Sequence, residues 1–278
     1  MIIRGSVFVA ALLATAGAAL AQTPVERGKY LMDSIVACGN CHTQQTPQGP
    51  LAGMELAGGL KIDDSPAFIA YTPNITPDPE TGIGKWTDEQ IIVAIREGKR
   101  PDGSIIGPPM PMPAYRDMSD EDARAIVAYL RSVKPIVNKV QKSEYKVPLP
   151  PSWGPPVGTV PPVAKTDKVA YGKYVAYTLG HCMECHSPPG PNGAPDMANR
   201  PGAGGFHFKG PWGESVSPNI TPTGLAKWSD ADIKKAITDG VRPDGMRLKP
   251  PMGFAYYKNI SPEDLDAIIA YLRSMKPL

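Results

Sequence analysis

Cysteine occurs only four times in this 278-residue chain, and Phe, Trp and Tyr together make up 7%. Four cysteines are too few for a disulfide-built scaffold. So few aromatics leave a core short of its bulkiest side chains. Net charge is only +2, and 42% of residues are hydrophobic, which excludes an intrinsically disordered chain. Glycine keeps no three-residue period, so the 28 glycines do not make a collagen. Beyond the first twenty residues no apolar run is long enough to cross a bilayer. What the chain has in excess is proline, 33 residues of it. Helix and strand interiors reject proline, so long regular elements cannot dominate.

The start reads as a secretory signal. Met1–Arg4 is basic, Val7–Leu20 is apolar and small, and Ala19-Leu20-Ala21 forms a cleavage site before Gln22. The expectation is a signal peptide over 1–21 and a soluble exported protein, periplasmic in a bacterium, with no membrane span after cleavage.

The remainder is a tandem duplication. Arg100–Pro135 aligns without gaps on Arg242–Pro277, with 20 of 36 positions identical. Pro73-Asn74-Ile75-Thr76-Pro77 recurs as Pro218-Asn219-Ile220-Thr221-Pro222, Lys85-Trp86 as Lys227-Trp228, and Gly28-Lys29-Tyr30 as Gly172-Lys173-Tyr174. The blocks keep their order. The expected organisation is domain 1 over 22–134, a connector over 135–165 and domain 2 over 166–278. The connector holds eight prolines and reads as extended and stiff, with Tyr145 and Trp153 to pack it along the domains. Charge is uneven: net −4 in domain 1, +3 in the connector and +2 in domain 2.

Three helices per domain are legible. The first spans about Val25–Val36, with Asp167–Leu179 as its counterpart. The second follows Thr87, where Gln90 completes a capping box and Gly98 stops it; its counterpart follows Ser229 and stops at Gly240. The third starts at Ser119 and closes before Pro135; its counterpart starts at Ser261. Gly28, Tyr30 and Tyr129, with Gly172, Tyr174 and Tyr271, are expected at the crossing of first and last helices. No alternating strand pattern is visible, so the expected fold is all-α, with long loops.

The chemistry lies in Cys38-Gly39-Asn40-Cys41-His42 and Cys182-Met183-Glu184-Cys185-His186. Cys-x-x-Cys-His is the attachment signature of c-type haem. Thiols about one turn apart reach the two vinyl groups of one haem, and the next residue, histidine, lies under the iron. A redox disulfide and a zinc site, including one four-thiolate site made by both pairs, are the other readings of the cysteines. A four-thiolate zinc site needs neither His42 nor His186. A buried porphyrin would also supply the bulk that the aromatics do not.

The aligned Met110 and Met252, each behind a Pro-Pro pair, are the candidate sixth ligands of the two irons. Met112 rivals Met110, but its repeat partner Phe254 cannot ligate. His207 is next in line should Met252 not serve, and His181 reads as a loop residue. His/Met ligation fills both axial positions and leaves outer-sphere electron transfer as the chemistry. Trp86 and Trp228 are candidate propionate contacts. Asn74 and Asn219 either tie their loop together, the leading reading, or hydrogen-bond near the propionates.

At these residues the chain resembles a class I c-type cytochrome, duplicated. More closely it is similar to the cytochrome c subunits of periplasmic alcohol, aldehyde and gluconate dehydrogenases. Cys38-x-x-Cys41-His42-Thr43, Pro73–Asp78, Thr81–Trp86, Met110-Pro111, Tyr115, Ser119–Asp122 and Ala128–Ser132 carry the likeness. The second copy departs at Thr223-Gly224-Leu225-Ala226. The resemblance implies two covalent haem c groups, His/Met ligands, and transfer from a dehydrogenase toward a quinone or terminal oxidase. Those subunits typically carry three haems and often a membrane-anchoring tail. Two motifs and a chain end at Leu278 favour a soluble shuttle or a two-haem subunit. Redox proteins are the expected partners, nucleic acid is not, and a dihaem enzyme of thiosulfate dehydrogenase or peroxidase type is the alternative.

Overall fold

The computed structural model describes residues 22–46, 49–65, 67–191, 193–210 and 212–278. The expected signal peptide, 1–21, lies outside the described residues. The first half runs α1 (Pro24–Asp33), α2 (Cys38–His42), the short strands β1 (Gln45–Thr46) and β2 (Gly49–Pro50), and the hairpin β3 (Lys61–Asp64) and β4 (Phe68–Tyr71). Then come α3 (Asp88–Glu97), α4 (Met112–Tyr115) and α5 (Asp120–Ser132). The connector contributes β5 (Glu144–Tyr145). The second half runs α6 (Lys168–Lys173), α7 (Cys182–His186), β6 (His207–Gly210), β7 (Gly213–Val216), α8 (Asp230–Asp239), α9 (Phe254–Tyr257) and α10 (Pro262–Ser274). From Tyr174 to Leu179, α6 continues as a wider π-helical turn.

The all-α expectation is corrected here. Strands account for 12% of the structure and helix for 34%. Each half folds the stretch between its haem motif and middle helix into an antiparallel hairpin: Lys61 pairs with Tyr71 in one, His207 with Val216 in the other. Four-residue strands interrupted by turn residues are too short to show a period of two. In the first half β5 adds a third strand, pairing Phe68 with Tyr145.

The helix caps follow the local rules. Thr87 Oγ1 accepts from the Gln90 N–H while the Gln90 side chain accepts from the Thr87 N–H, and Gly98 ends α3 at φ 63°. Ser229, Asp232 and Gly240, at φ 64°, repeat this around α8. The first helix is shorter than the sequence pattern suggests, ending at Asp33 because the chain breaks at Ser34.

First and last helices of each half cross at glycine. A Cβ on Gly28 would stand 1.9 Å from the Ala125 carbonyl oxygen, and one on Gly172 would stand 1.8 Å from that of Ala267. No side chain fits, so the helices approach to backbone contact. Leu31, Met32, Ile126 and Leu130 pack beneath this crossing, and Val175, Ile268 and Leu272 beneath the other. Arg27 closes the first crossing, its Nε donating to Asp122 Oδ1 at 2.7 Å.

The halves meet along their haem-motif sides. Tyr115 lies edge-on to the His181 ring, centroids 6.0 Å apart. The Tyr256 hydroxyl packs where a Cβ on Gly39 would stand 2.4 Å from it. Asn259 Nδ2 donates to the Asp33 carbonyl at 2.8 Å. The connector runs on the first half: Trp153 Nε1 donates to the Ile106 carbonyl at 2.8 Å, and the Asp120 N–H donates to the Val160 carbonyl at 2.9 Å.

Candidate haem sites

Each haem motif is a single helical turn, entered through a left-handed residue. Ala37 has φ 49° and His181 φ 39°, and α2 and α7 start immediately after them. One turn puts the cysteines, three apart, on the same side, with the histidine following. No disulfide joins any of the four cysteines. Burial pushes the Cys38, Cys182 and Cys185 thiols up to about 12 and raises Cys41. Among the described residues no three His, Cys, Asp or Glu side chains converge as a metal-ion site. The geometry therefore does not assemble the joint zinc site.

Both motif histidines are oriented by a carbonyl. His42 Nδ1 lies 2.9 Å from the Pro73 oxygen and His186 Nδ1 2.8 Å from the Pro218 oxygen. A carbonyl can only accept, so Nδ1 carries the proton and Nε2 keeps its lone pair free. Burial lowers both imidazole pKa values and favours this neutral form. The Pro-Asn-Ile-Thr-Pro repeat thus ends up behind the histidine. Its asparagines are ties, as read from sequence. Asn74 Nδ2 donates to the Ile136 carbonyl at 2.7 Å and Asn219 Nδ2 to that of Leu278 at 2.8 Å, while each Oδ1 accepts from the threonine two residues on.

In the second half an apolar cavity of about 260 Å³, open on one side, adjoins the motif. Cys182, His186, Trp228, Arg242, Met252 and Tyr257 line it, and Ile35 reaches in from the first half. His186 and Met252, 66 positions apart in sequence, therefore share one cavity. Neither His207 nor Phe254 lines it. His207 is exposed on β6, its Nδ1 2.8 Å from Glu214 Oε1. Phe254 packs against the α8 stop, 3.1 Å from a Cβ on Gly240. Met112 occupies the matching place in the first half, fully buried and 2.9 Å from a Cβ on Gly98. Met110 is half-buried against the core.

Residues that the sequence reading missed complete the site. Arg242 Nε is a buried atom with no hydrogen bond, 3.5 Å from Asp244 Oδ2 in an ion pair. A half-exposed guanidinium at the edge of an apolar cavity suits a flat apolar ligand with carboxylates at its rim. The signal was Arg100/Arg242 at the head of the identical block. Arg273 holds the Trp228 loop, donating to the carbonyls of Leu225 at 2.9 Å and Trp228 at 2.5 Å. Arg131 does the same to Ile83 and Trp86. At the seam between halves, burial lowers His181 to about 4 and raises Glu184 to about 7.

The cytochrome c family model matches twice, over residues 25–134 and 169–276. The chain belongs to the cytochrome c family. With two Cys-x-x-Cys-His motifs it is an electron-transfer cytochrome that carries two covalently bound haem c groups. Among its relatives is the cytochrome c subunit of a quinone alcohol dehydrogenase from Komagataeibacter europaeus, 34% identical over 294 residues, covering 97% of this chain and 61% of that one. The cytochrome subunit of a fructose dehydrogenase from Gluconobacter japonicus is 32% identical over 271 residues, 90% of this chain and 52% of its own. A diheme cytochrome c-type protein from Cereibacter sphaeroides is 30% identical over 253 residues, 85% of this cytochrome and 81% of its own length. The chain thus spans between half and two thirds of the dehydrogenase subunits. No helix among the described residues is long and apolar enough to cross a membrane.

Proposed function

We propose that this cytochrome is a periplasmic two-haem carrier that takes electrons from a dehydrogenase and passes them to a downstream redox protein. Residues 1–21 direct export. Residues 22–134 and 166–278 form two haem domains joined by the connector 135–165. Cys38 and Cys41 hold one group and Cys182 and Cys185 the other. His42 with Met110, and His186 with Met252, are the axial ligand pairs. Bound there, each haem supplies a one-electron iron couple.

The observation that carries the reading is the single cavity lined by both His186 and Met252. The Pro218 carbonyl keeps Nε2 of His186 unprotonated for the metal. Met252 is held by a loop that opens with two prolines, which limit its movement. Arg242 and Trp228 line the cavity with nitrogen donors for ring carboxylates. With both His186 and Met252 holding the iron, small oxidants would be kept from it, and the bound group would supply outer-sphere electron transfer.

Oxidised His/Met cytochromes show a weak sulfur-to-iron charge-transfer band at the red end of the visible spectrum. The parent is expected to show it, and Met110→Ala with Met252→Ala to lose it. An undiminished band in the double variant overturns the ligand assignment.

A further inference from the structure

The two halves present the same loop in different states. In the first half the loop Arg100–Met110 is roofed by the connector. Tyr145 Oη donates to the Pro108 carbonyl at 3.0 Å, and its ring lies 2.5 Å from a Cβ on Gly107. Trp153 holds the Ile106 carbonyl. Tyr145 also belongs to β5, which closes the outer edge of β4.

The equivalent loop of the second half, Arg242–Met252, has no such cover among the described residues, and its sheet is only β6 and β7. The side chains change accordingly. Where the first half has Ser104, Ile105 and Gly107, the second has Met246, Arg247 and Lys249. All three of the latter are exposed, Met246 at 56%. Val216, on the open strand β7, is 50% exposed. Hairpin and loop make one face: Ser215 Oγ donates to the Pro250 carbonyl at 2.8 Å, and Lys249 Nζ donates to the Glu214 carbonyl at 3.1 Å. The face carries Lys209, Arg242, Arg247 and Lys249 against Glu214 and Asp244, with Arg242 paired to Asp244 at 3.5 Å, which leaves Lys209, Arg247 and Lys249 as the cations facing a partner. The Glu214 carboxylate is already engaged by His207. Arg242 and Leu248 belong to this face and also line the haem cavity.

We infer that this face is the docking surface for an acidic redox protein, which meets the exposed Met246 and Val216 together with the cationic side chains of the same hairpin and loop. The inference rests on the electron-transfer reading above. Protein interfaces combine apolar contacts with charged ones, and opposite charge raises encounter rates without demanding a large contact. Docking here puts the partner over the wall of the second haem site. The connector denies the same approach to the first. One electron leaves the reduced cytochrome and reduces the partner's metal; no proton moves.

The test uses the full haem-loaded chain and stopped-flow oxidation by a small blue-copper protein of net negative charge, whose cupric ion becomes cuprous. Low salt is expected to give fast transfer that falls steeply with ionic strength. Arg247→Glu with Lys249→Glu is expected to slow it about tenfold at low salt, within the range that electrostatic steering supplies. The difference should vanish near 1 M salt, where charges are screened within about 3 Å. The connector control, Lys139→Glu with Lys142→Glu, is expected to change the rate less than twofold. Equal slowing by the control, or no salt dependence, overturns the docking surface. A parent dimer in sedimentation that Arg247→Glu with Lys249→Glu dissolves assigns the face to a second copy and also overturns it. Tris(phenanthroline)cobalt, a cation, should oxidise the variant at least as fast as the parent at low salt, the opposite sign of effect. Failure of the parent to exchange electrons with either reagent instead sinks the electron-transfer reading.

Discussion

Tyr30 Oη donates to the Asp264 carboxylate at 2.6 Å, across 234 positions of sequence. Tyr174, which stands in the same place in the second half, donates to Asp122 at 2.6 Å. Each tyrosine comes from the first helix of one half, and each aspartate from the first turn of the last helix of the other. The Ser261 N–H donates to the Tyr30 oxygen and the Ser119 N–H to that of Tyr174. The two halves thus grip each other by a self-complementary contact, the arrangement of a twofold dimer. Tyr30 and Tyr174, expected to pack within their own halves, are the clasp between them. Both are buried enough to raise their phenol pKa, which keeps them as donors.

Removing one hydroxyl leaves a buried carboxylate short of a donor. Tyr30→Phe and Tyr174→Phe are each expected to destabilise the protein by about 1.5–3 kcal/mol, the range for hydrogen bonds to charged groups. Urea denaturation checks this. The visible spectrum should not change, since neither residue lines the haem cavity described above.

Met110 and Met112 separate cleanly by measurement. Met112 is fully buried against the end of α3, so Met112→Ala is expected to cost about 2–5 kcal/mol and leave the red charge-transfer band intact. Met110→Ala is expected to do the reverse, weakening the band with a smaller loss of stability. Thermal denaturation and absorption spectra of the same samples decide it.

Gly28→Ala is expected to destabilise by about 1–3 kcal/mol or more, because its methyl would meet the Ala125 carbonyl at 1.9 Å. Gly172→Ala should match it at the other crossing. A surface control, Gly103→Ala, meets no atom within 4 Å but has φ 83°, and is expected to cost only its backbone strain. Differential scanning calorimetry on the three variants ranks them.

Asp120 predicts a pH dependence. The hydrogen bond from Arg96 holds its carboxyl below the ordinary value of 3.8. A carboxylate depressed on folding adds stability above its unfolded pKa and loses it as pH falls through the folded one. Asp120→Asn is therefore expected to be less stable than the parent at pH 7, with the gap narrowing below pH 4. Paired denaturation curves from pH 7 to pH 3 test the sign.

Some of this architecture was legible because its signals are local. Cys38-x-x-Cys41-His42 and the Thr87/Gln90/Gly98 cap each lie within a few turns of chain, where spacing fixes geometry. The hairpins were hidden because four residues hold barely two periods of alternation. Arg242 was hidden because a cationic side chain reads as solvated surface until a cavity is seen behind it. Arg131 and Arg273 were hidden likewise, since their carbonyl partners lie 45 and 48 positions away. The Tyr30–Asp264 bond could not be read from either half alone.

The contact of Gly39 with Tyr256 sets a rule of exchange. The second half has Met183 where the first has Gly39, and the first has Ala114 where the second has Tyr256. One side of the seam pairs a small motif residue with a large loop residue; in the other copy of each element the motif residue is the large Met183 and the loop residue the small Ala114. Two copies of the first half joined together would set Ala114 against Gly39 and leave a void. Two copies of the second would drive Tyr256 into Met183. Having diverged in opposite directions, the duplicated halves no longer substitute for each other, and each half is a mate only for its own sibling.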